Sequence, residues 1–150
     1  METTLINPAL KDLEMLVGSW TIELSNASFL PEPTAVIRGS MSFELIKDGA
    51  FLIMRQGIKD SGMPWSLWLI GRDQDADDYS ALYFDDRGVS RVYQMSLAKG
   101  VLNIWRDSPK FSQRFAGKIS KDKKTIKAQW EKSFDGKRWE HDFDIMYLRK

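Results

Sequence analysis

Two hydrophobic rhythms divide this chain. Leu10, Leu13, Leu16 and Val17 recur at helical spacing, following an Asn7-Pro8 pair suited to a helix start. Gly18 then stops that pattern, which predicts a short helix over 8–17. A helix this short is marginal alone and must pack against something. From Trp20 onward, apolar and polar residues alternate singly. Trp20, Ile22 and Leu24 oppose Thr21 and Glu23. Ile126, Ala128 and Trp130 oppose Lys127, Gln129 and Glu131. His141, Phe143, Ile145 and Tyr147 oppose Glu140, Asp142 and Asp144. This period of two is that of strands with one dry and one wet face. Strands are expected near 19–25, 35–46, 50–58, 65–72, 79–84, 89–97, 100–106, 111–120, 124–133 and 138–149.

The connections carry turn chemistry. Lys47-Asp48-Gly49, Asp60-Ser61-Gly62, Asp85-Asp86-Arg87-Gly88, Lys99-Gly100, Lys121-Asp122-Lys123-Lys124 and Asp135-Gly136-Lys137 each join two strands. Glycine supplies positive φ and Asp closes side-chain turns. Short loops between such strands make an antiparallel meander. Two connections are longer: 26–34, with Pro31 and Pro33, and the acidic 74–78. A half-wet sheet of about ten strands hides its edges by closing. The chain is therefore expected to be one all-β domain over 1–150. Residues 19–149 form a ten-stranded antiparallel barrel, and the 8–17 helix closes one end. A barrel of this width leaves interior space for a ligand.

Composition narrows the function classes. With 22 basic and 21 acidic residues, the chain shows no electrostatic footprint for nucleic acid or an anionic membrane. It has no cysteine, which excludes disulfides, thiolate nucleophiles and Cys-ligated zinc. No apolar run approaches the ~20 residues of a membrane helix. Met1–Leu10 lacks the basic start and apolar core of a signal peptide. A cytoplasmic location is the expectation.

Polar residues break the alternation in the middle strands. Arg91, Arg106 and Arg114 fall on three consecutive expected strands and could converge on an anion. The alternative is surface pairing with Asp85, Asp86, Asp107 or Glu131. Tyr83, Tyr93, Trp105 and Trp130 stand beside these arginines and suit the apolar wall of a pocket. His141, the only histidine, shares parity with Phe143 and is expected to point inward. It is read as a hydrogen-bonded pocket residue, with no metal site, since no second histidine exists to complete one. Asp73, Asp75, Asp77 and Asp78 lack the glycine and terminal glutamate of a calcium loop and read as a solvated turn. Phosphate loops, nucleophile elbows and HExxH are absent.

Three stretches carry a resemblance: Tyr83 through Tyr93, Trp105 through Phe115, and Trp130 to Ser133 continuing through Trp139 to Asp144. They resemble a family of small bacterial proteins of unknown function with a lipocalin-like, or calycin, barrel. Gly18-Ser19-Trp20 after a short helix is how such barrels begin. The resemblance implies that Arg149 lies over Trp20 and that a lid follows the first strand. More distantly, the chain resembles nitrobindins, which implies heme with His141 as axial ligand. The function expected is non-catalytic binding of a small, partly apolar ligand, with an anionic group left open. The ligand-binding set is Tyr83, Arg91, Tyr93, Trp105, Arg106, Arg114, Trp130 and His141, with no cofactor. Two alternatives stand beside it: the heme barrel, and a cavity isomerase or hydrolase using His141 with a carboxylate.

Overall fold

The computed structural model describes residues 4–32, 34–57 and 64–150. The turn expected at Asp60-Ser61-Gly62, Pro33 of the first long loop and residue 58 at the end of the third expected strand lie outside them. Ten antiparallel strands follow one another around a closed barrel: β1 (Gly18–Ser25), β2 (Ile37–Ile46), β3 (Phe51–Gly57), β4 (Ser66–Gly71), β5 (Tyr79–Asp85), β6 (Ser90–Ala98), β7 (Val101–Arg106), β8 (Ser112–Ile119), β9 (Thr125–Ser133) and β10 (Glu140–Arg149). Each pairs with its chain neighbour, and β1 closes the ring on β10. Closure leaves no strand edge unpaired, as the alternation required. Positive φ at Gly49, Gly88, Gly100 and Gly136 places the glycines of four expected turns where L side chains rarely sit.

The N-terminal helix, Pro8–Leu16, is a 3-10 helix. Its leucines explain this. Leu10, Leu13 and Leu16 are spaced by three, the repeat of a 3-10 turn, so they stack on one line. All three are fully buried under the barrel. The Asn7 side chain accepts a hydrogen bond from the Ala9 N–H at 3.1 Å and caps the start.

The helix plugs one end through Trp20 and Arg149, which are direct partners across β1 and β10. The Arg149 guanidinium carbon lies 4.2 Å from the Trp20 ring centre. Trp20 donates its indole N–H to the Leu16 carbonyl at 2.9 Å. Arg149 donates to the carbonyls of Val17, at 2.8 Å, and of Met15. These bonds satisfy carbonyls that the helix end leaves without an intrahelical donor. Gly18 sits at φ +132, and a Cβ there would come within 2.9 Å of Arg149 Nη1. Its glycine thus serves both the chain reversal and the arginine's approach.

The strand directions put the starts of β2, β4, β6, β8 and β10 at the opposite end, the mouth. Phe29, in the loop after β1, packs edge-on against Phe143 there, with ring centres 5.8 Å apart. A loop thus lies at the mouth where a lid was expected. Inside, the core runs from Leu16 and Trp20 through Ile22, Leu52, Ile70, Met95 and Ile126 to the aromatics of the mouth half. Among the described residues a cavity of about 20 Å³ lies inside, bordered by Met54, Gln56, Trp68, Met95, Trp130 and Tyr147 among others. That is room for about one water molecule. The barrel is nearly full below its mouth.

Candidate ligand site at the barrel mouth

Alternation carries side chains from β4 to β9 into the mouth. On β4, Ser66 and Trp68 point inward and are buried. On β5, Tyr83 and Asp85 do the same. On β6, Arg91 shares the inward parity of Tyr93 and Met95. On β7, Arg106 follows Leu102 and Ile104 inward. On β8, Gln113 follows Phe115. On β9, Trp130 and Lys132 share the inner face with Ala128.

The rings make one connected wall. Trp68 meets Tyr83 with ring centres 4.9 Å apart and Tyr93 at 4.8 Å. Tyr93 meets Trp130 at 6.1 Å, mutually edge-on, and Trp130 meets Phe115 at 5.1 Å. Such offset and edge-on contacts suit the ring quadrupoles. The wall leaves two polar atoms buried and unpartnered among the described residues: Trp68 Nε1 and Ser66 Oγ. Both can donate, and buried donors normally find an acceptor.

The charges at the mouth differ in how they are matched. Asp85 is fully buried and saturated. It accepts from Arg87 Nη2 at 2.7 Å, from the Tyr83 hydroxyl at 2.6 Å, and from the backbone N–H groups of Arg87 and Val89. The Arg87 guanidinium, helped by these other donors, holds the Asp85 carboxyl far below the usual carboxylate range. Burial, with the Asp85 carboxylate beside it, pushes the Tyr83 hydroxyl far up. Asp142 is likewise taken, by Lys132 at 3.3 Å.

Arg91 and Arg106 are different. The Arg91 guanidinium lies 5.1 Å from the Phe111 ring centre and 6.0 Å from that of Tyr83. That of Arg106 lies 5.9 Å from the Tyr93 ring centre. Both act on the Tyr93 phenol, which donates to Gln113 Oε1 at 2.5 Å. Burial raises the Tyr93 pKa, and the two arginines oppose that rise. Among the described residues, neither arginine has a carboxylate at ion-pair distance. Two cations therefore face one aromatic cup with no matching anion among the described residues.

Of the residues expected from sequence, Tyr83, Arg91, Tyr93, Arg106 and Trp130 come together at the mouth. Three do not. Arg114 points outward, forks onto Glu131 at 3.0 and 3.2 Å and stacks 4.0 Å from the Trp139 ring. Trp105 lies outside as well, between its register partners Gln94 and Arg114. His141 is the clearest correction. A β-bulge between His141 and Phe143 breaks the parity of β10, so His141 is exposed and contacts Asp144 at 3.3 Å on the outer surface. After the bulge the inner face of β10 resumes at Phe143, while before it Glu140 is registered with the inward Lys132. Sequence reading missed Ser66, Trp68, Asp85, Gln113 and the Lys132–Asp142 pair. The signal for Ser66, Trp68, Asp85, Gln113 and Lys132 was present: each sits two residues from another inward residue on the same strand.

Heme, which the distant resemblance implies, does not fit these residues. The sole histidine faces outward, against Asp144 on the outer surface. His141 of the cavity-enzyme alternative likewise lies on the outer surface. Among the described residues, no group of three or more His, Asp or Glu side chains is placed to hold a metal ion. No helix among them is long and apolar enough to cross a membrane.

No protein-family model matches the chain, and neither does any curated protein. Among solved structures the chain is similar to the crystal structure of Rv2717c from M. tuberculosis. The two align with a TM-score of 0.62 over 95% of this chain and 98% of that one, at 13% identity. At that identity the likeness speaks for the barrel fold alone.

Proposed function

We propose that this protein is a non-catalytic binding barrel whose ligand is small, partly apolar and anionic. Its anionic group would lie between Arg91 and Arg106, and its apolar part against Trp68, Tyr93 and Trp130. The observation that carries this reading is the pair of inward arginines with no carboxylate partner among the described residues. Two other inward charges at the mouth, Asp85 and Lys132, are matched within the protein by Arg87 and Asp142. Two guanidiniums offer planar, paired donors, the geometry that recognises carboxylate, sulfonate or phosphate. The unpartnered Trp68 and Ser66 donors add further sites for ligand acceptors.

The test uses 2-naphthoate and its neutral amide, followed through quenching of the intrinsic tryptophan fluorescence. The acid is expected to bind at least tenfold more tightly than the amide. Arg91→Gln and Arg106→Gln are each expected to weaken it roughly 10- to 100-fold, the size of a lost charge-assisted hydrogen bond. Arg114→Gln should leave binding unchanged. Equal affinity for acid and amide, or an Arg91→Gln/Arg106→Gln double variant that binds like the parent, overturns the reading.

A further inference from the structure

Donors and acceptors inside the mouth half do not balance. The inward hydroxyls of Tyr83, Tyr93 and Tyr147 are each spent on an acceptor of the protein. Tyr83 donates to Asp85 at 2.6 Å, Tyr93 to Gln113 Oε1 at 2.5 Å, and Tyr147 to Gln56 Oε1 at 3.5 Å. Those acceptors are thereby engaged, and Asp85 also takes Arg87. What is left over can donate. Trp68 Nε1 and Ser66 Oγ have no partner among the described residues, and the two residues are only 3 and 2% exposed. A serine hydroxyl rotates and can also accept, whereas an indole N–H can only donate. A buried donor without an acceptor is uncommon and costs free energy, which an acceptor atom of a ligand would recover.

The Trp68 donor stands next to the two unmatched cations. The Tyr83 ring contacts both Arg91 and Trp68, 6.0 Å from the guanidinium carbon and 4.9 Å from the indole ring centre. The Tyr93 ring does the same for Arg106 and Trp68, at 5.9 and 4.8 Å. A single tyrosine ring thus links each guanidinium to the indole. That puts cations and N–H within the length of one two-ring molecule. We infer that the ligand of this site is a compact aromatic acid that carries a second, uncharged acceptor in the ring remote from its anionic group, and that the Trp68 indole N–H donates to it. A ring nitrogen, a carbonyl oxygen or an ether oxygen supplies such an acceptor. This rests on the anionic reading above and narrows it to one class of acid. An all-carbon ring leaves the indole N–H buried and unpaired, and an N–H in its place meets it donor to donor. Sites with buried polar groups reject ligands that leave those groups unpaired.

The experiment is isothermal titration, at a pH where ring nitrogens carry no proton, with acids of one shape and charge. 2-Naphthoate is compared with quinoline-6-carboxylate, isoquinoline-6-carboxylate and isoquinoline-7-carboxylate. These place a nitrogen acceptor at three different positions of the far ring without changing its size. At least one is expected to bind about five- to tenfold more tightly than 2-naphthoate, the size of a hydrogen bond gained by a buried donor. Trp68→Phe keeps an aromatic ring in the wall and removes the N–H, and the preference should fall to about one. Arg114→Gln, on the outer surface, should keep the preference. Should Trp68→Phe not fold, the nitrogen-15-labelled parent answers by magnetic resonance. The Trp68 indole N–H proton should move downfield with the preferred acid and not with 2-naphthoate. Arginine-dependent binding of 2-naphthoate with no gain from any ring nitrogen overturns this inference and leaves the anionic site standing. So does a gain that survives Trp68→Phe undiminished, or an indole proton that does not respond. Acids that bind no better than their amides overturn the anionic site, and this inference with it.

Discussion

At the scale of single residues, two polar side chains hold the ends of this barrel. At the plugged end, the buried indole of Trp20 fills the space under the helix and bonds back to the Leu16 carbonyl. Trp20→Ala removes that packing and leaves a cavity, and should cost about 3–5 kcal/mol in urea unfolding. At the mouth, Asp85 gathers donors from Tyr83, Arg87 and Val89. Its carboxyl is held below its unfolded value of about 3.9. A depressed folded pKa means that the stabilisation is complete above that value and is lost as pH falls below it. Asp85→Asn should therefore destabilise the protein by roughly 1–3 kcal/mol at neutral pH, as when a buried group loses charge-assisted hydrogen bonds. The gap between variant and parent should stay flat down to about pH 5 and narrow on further acidification. A gap that widens in acid would remove Asp85 from this role. Arg91 and Arg106 stand out against this background, because neither has a carboxylate at ion-pair distance among the described residues.

At the scale of elements, alternation made most of the fold readable. Short Gly and Asp turns set the strand boundaries, and period two set the faces. It also determined which arginines point inward once register is known: Arg91 follows Tyr93, and Arg106 follows Ile104. Legibility ended where the period was broken locally. The bulge at His141 and Phe143 adds one residue to β10 and turns every earlier side chain to the other face. No glycine or proline marks it, so nothing in the sequence announced it. The helix type was readable in retrospect from leucines spaced by three. Gly18 joins helix to barrel at φ +132, with Arg149 Nη1 within 2.9 Å of where a Cβ would stand. Gly18→Ala strains the backbone and pushes the arginine away from the helix carbonyls. We expect a loss of about 1–3 kcal/mol, the scale of a residue forced into a sparsely populated conformation. A thermal scan showing an unchanged midpoint would contradict that coupling.

At the scale of the whole molecule, the sequence argued for a container, and the structure describes one that is nearly full. The free space beneath the mouth, about 20 Å³, is bordered by Met54, Met95, Trp68 and Trp130. Pattern reading counts strands and faces but does not weigh side-chain volume, and Trp20, Trp68 and Trp130 with Met41, Met54 and Met95 take up the room that ten strands create. This limits what the proposed site accepts. A compact aromatic acid can rest at the mouth between the arginines and the ring wall. A long alkyl acid would have to drive its tail into packed core, at the cost of overpacking. Dodecanoate should therefore bind the parent protein more weakly than 2-naphthoate, although it buries more apolar area when free to do so. Met54→Ala changes that balance. It deletes most of a buried side chain at the cavity wall and should cost about 2–5 kcal/mol in stability. It should also raise the affinity for dodecanoate by tenfold or more while leaving that for 2-naphthoate near its parent value. Both affinities follow from quenching of the tryptophans that line the site. If dodecanoate already binds the parent more tightly than the aromatic acid, the interior opens to ligands and its packing does not set the specificity. If Met54→Ala leaves dodecanoate binding unchanged, the tail lies outside the lumen and the mouth alone forms the site.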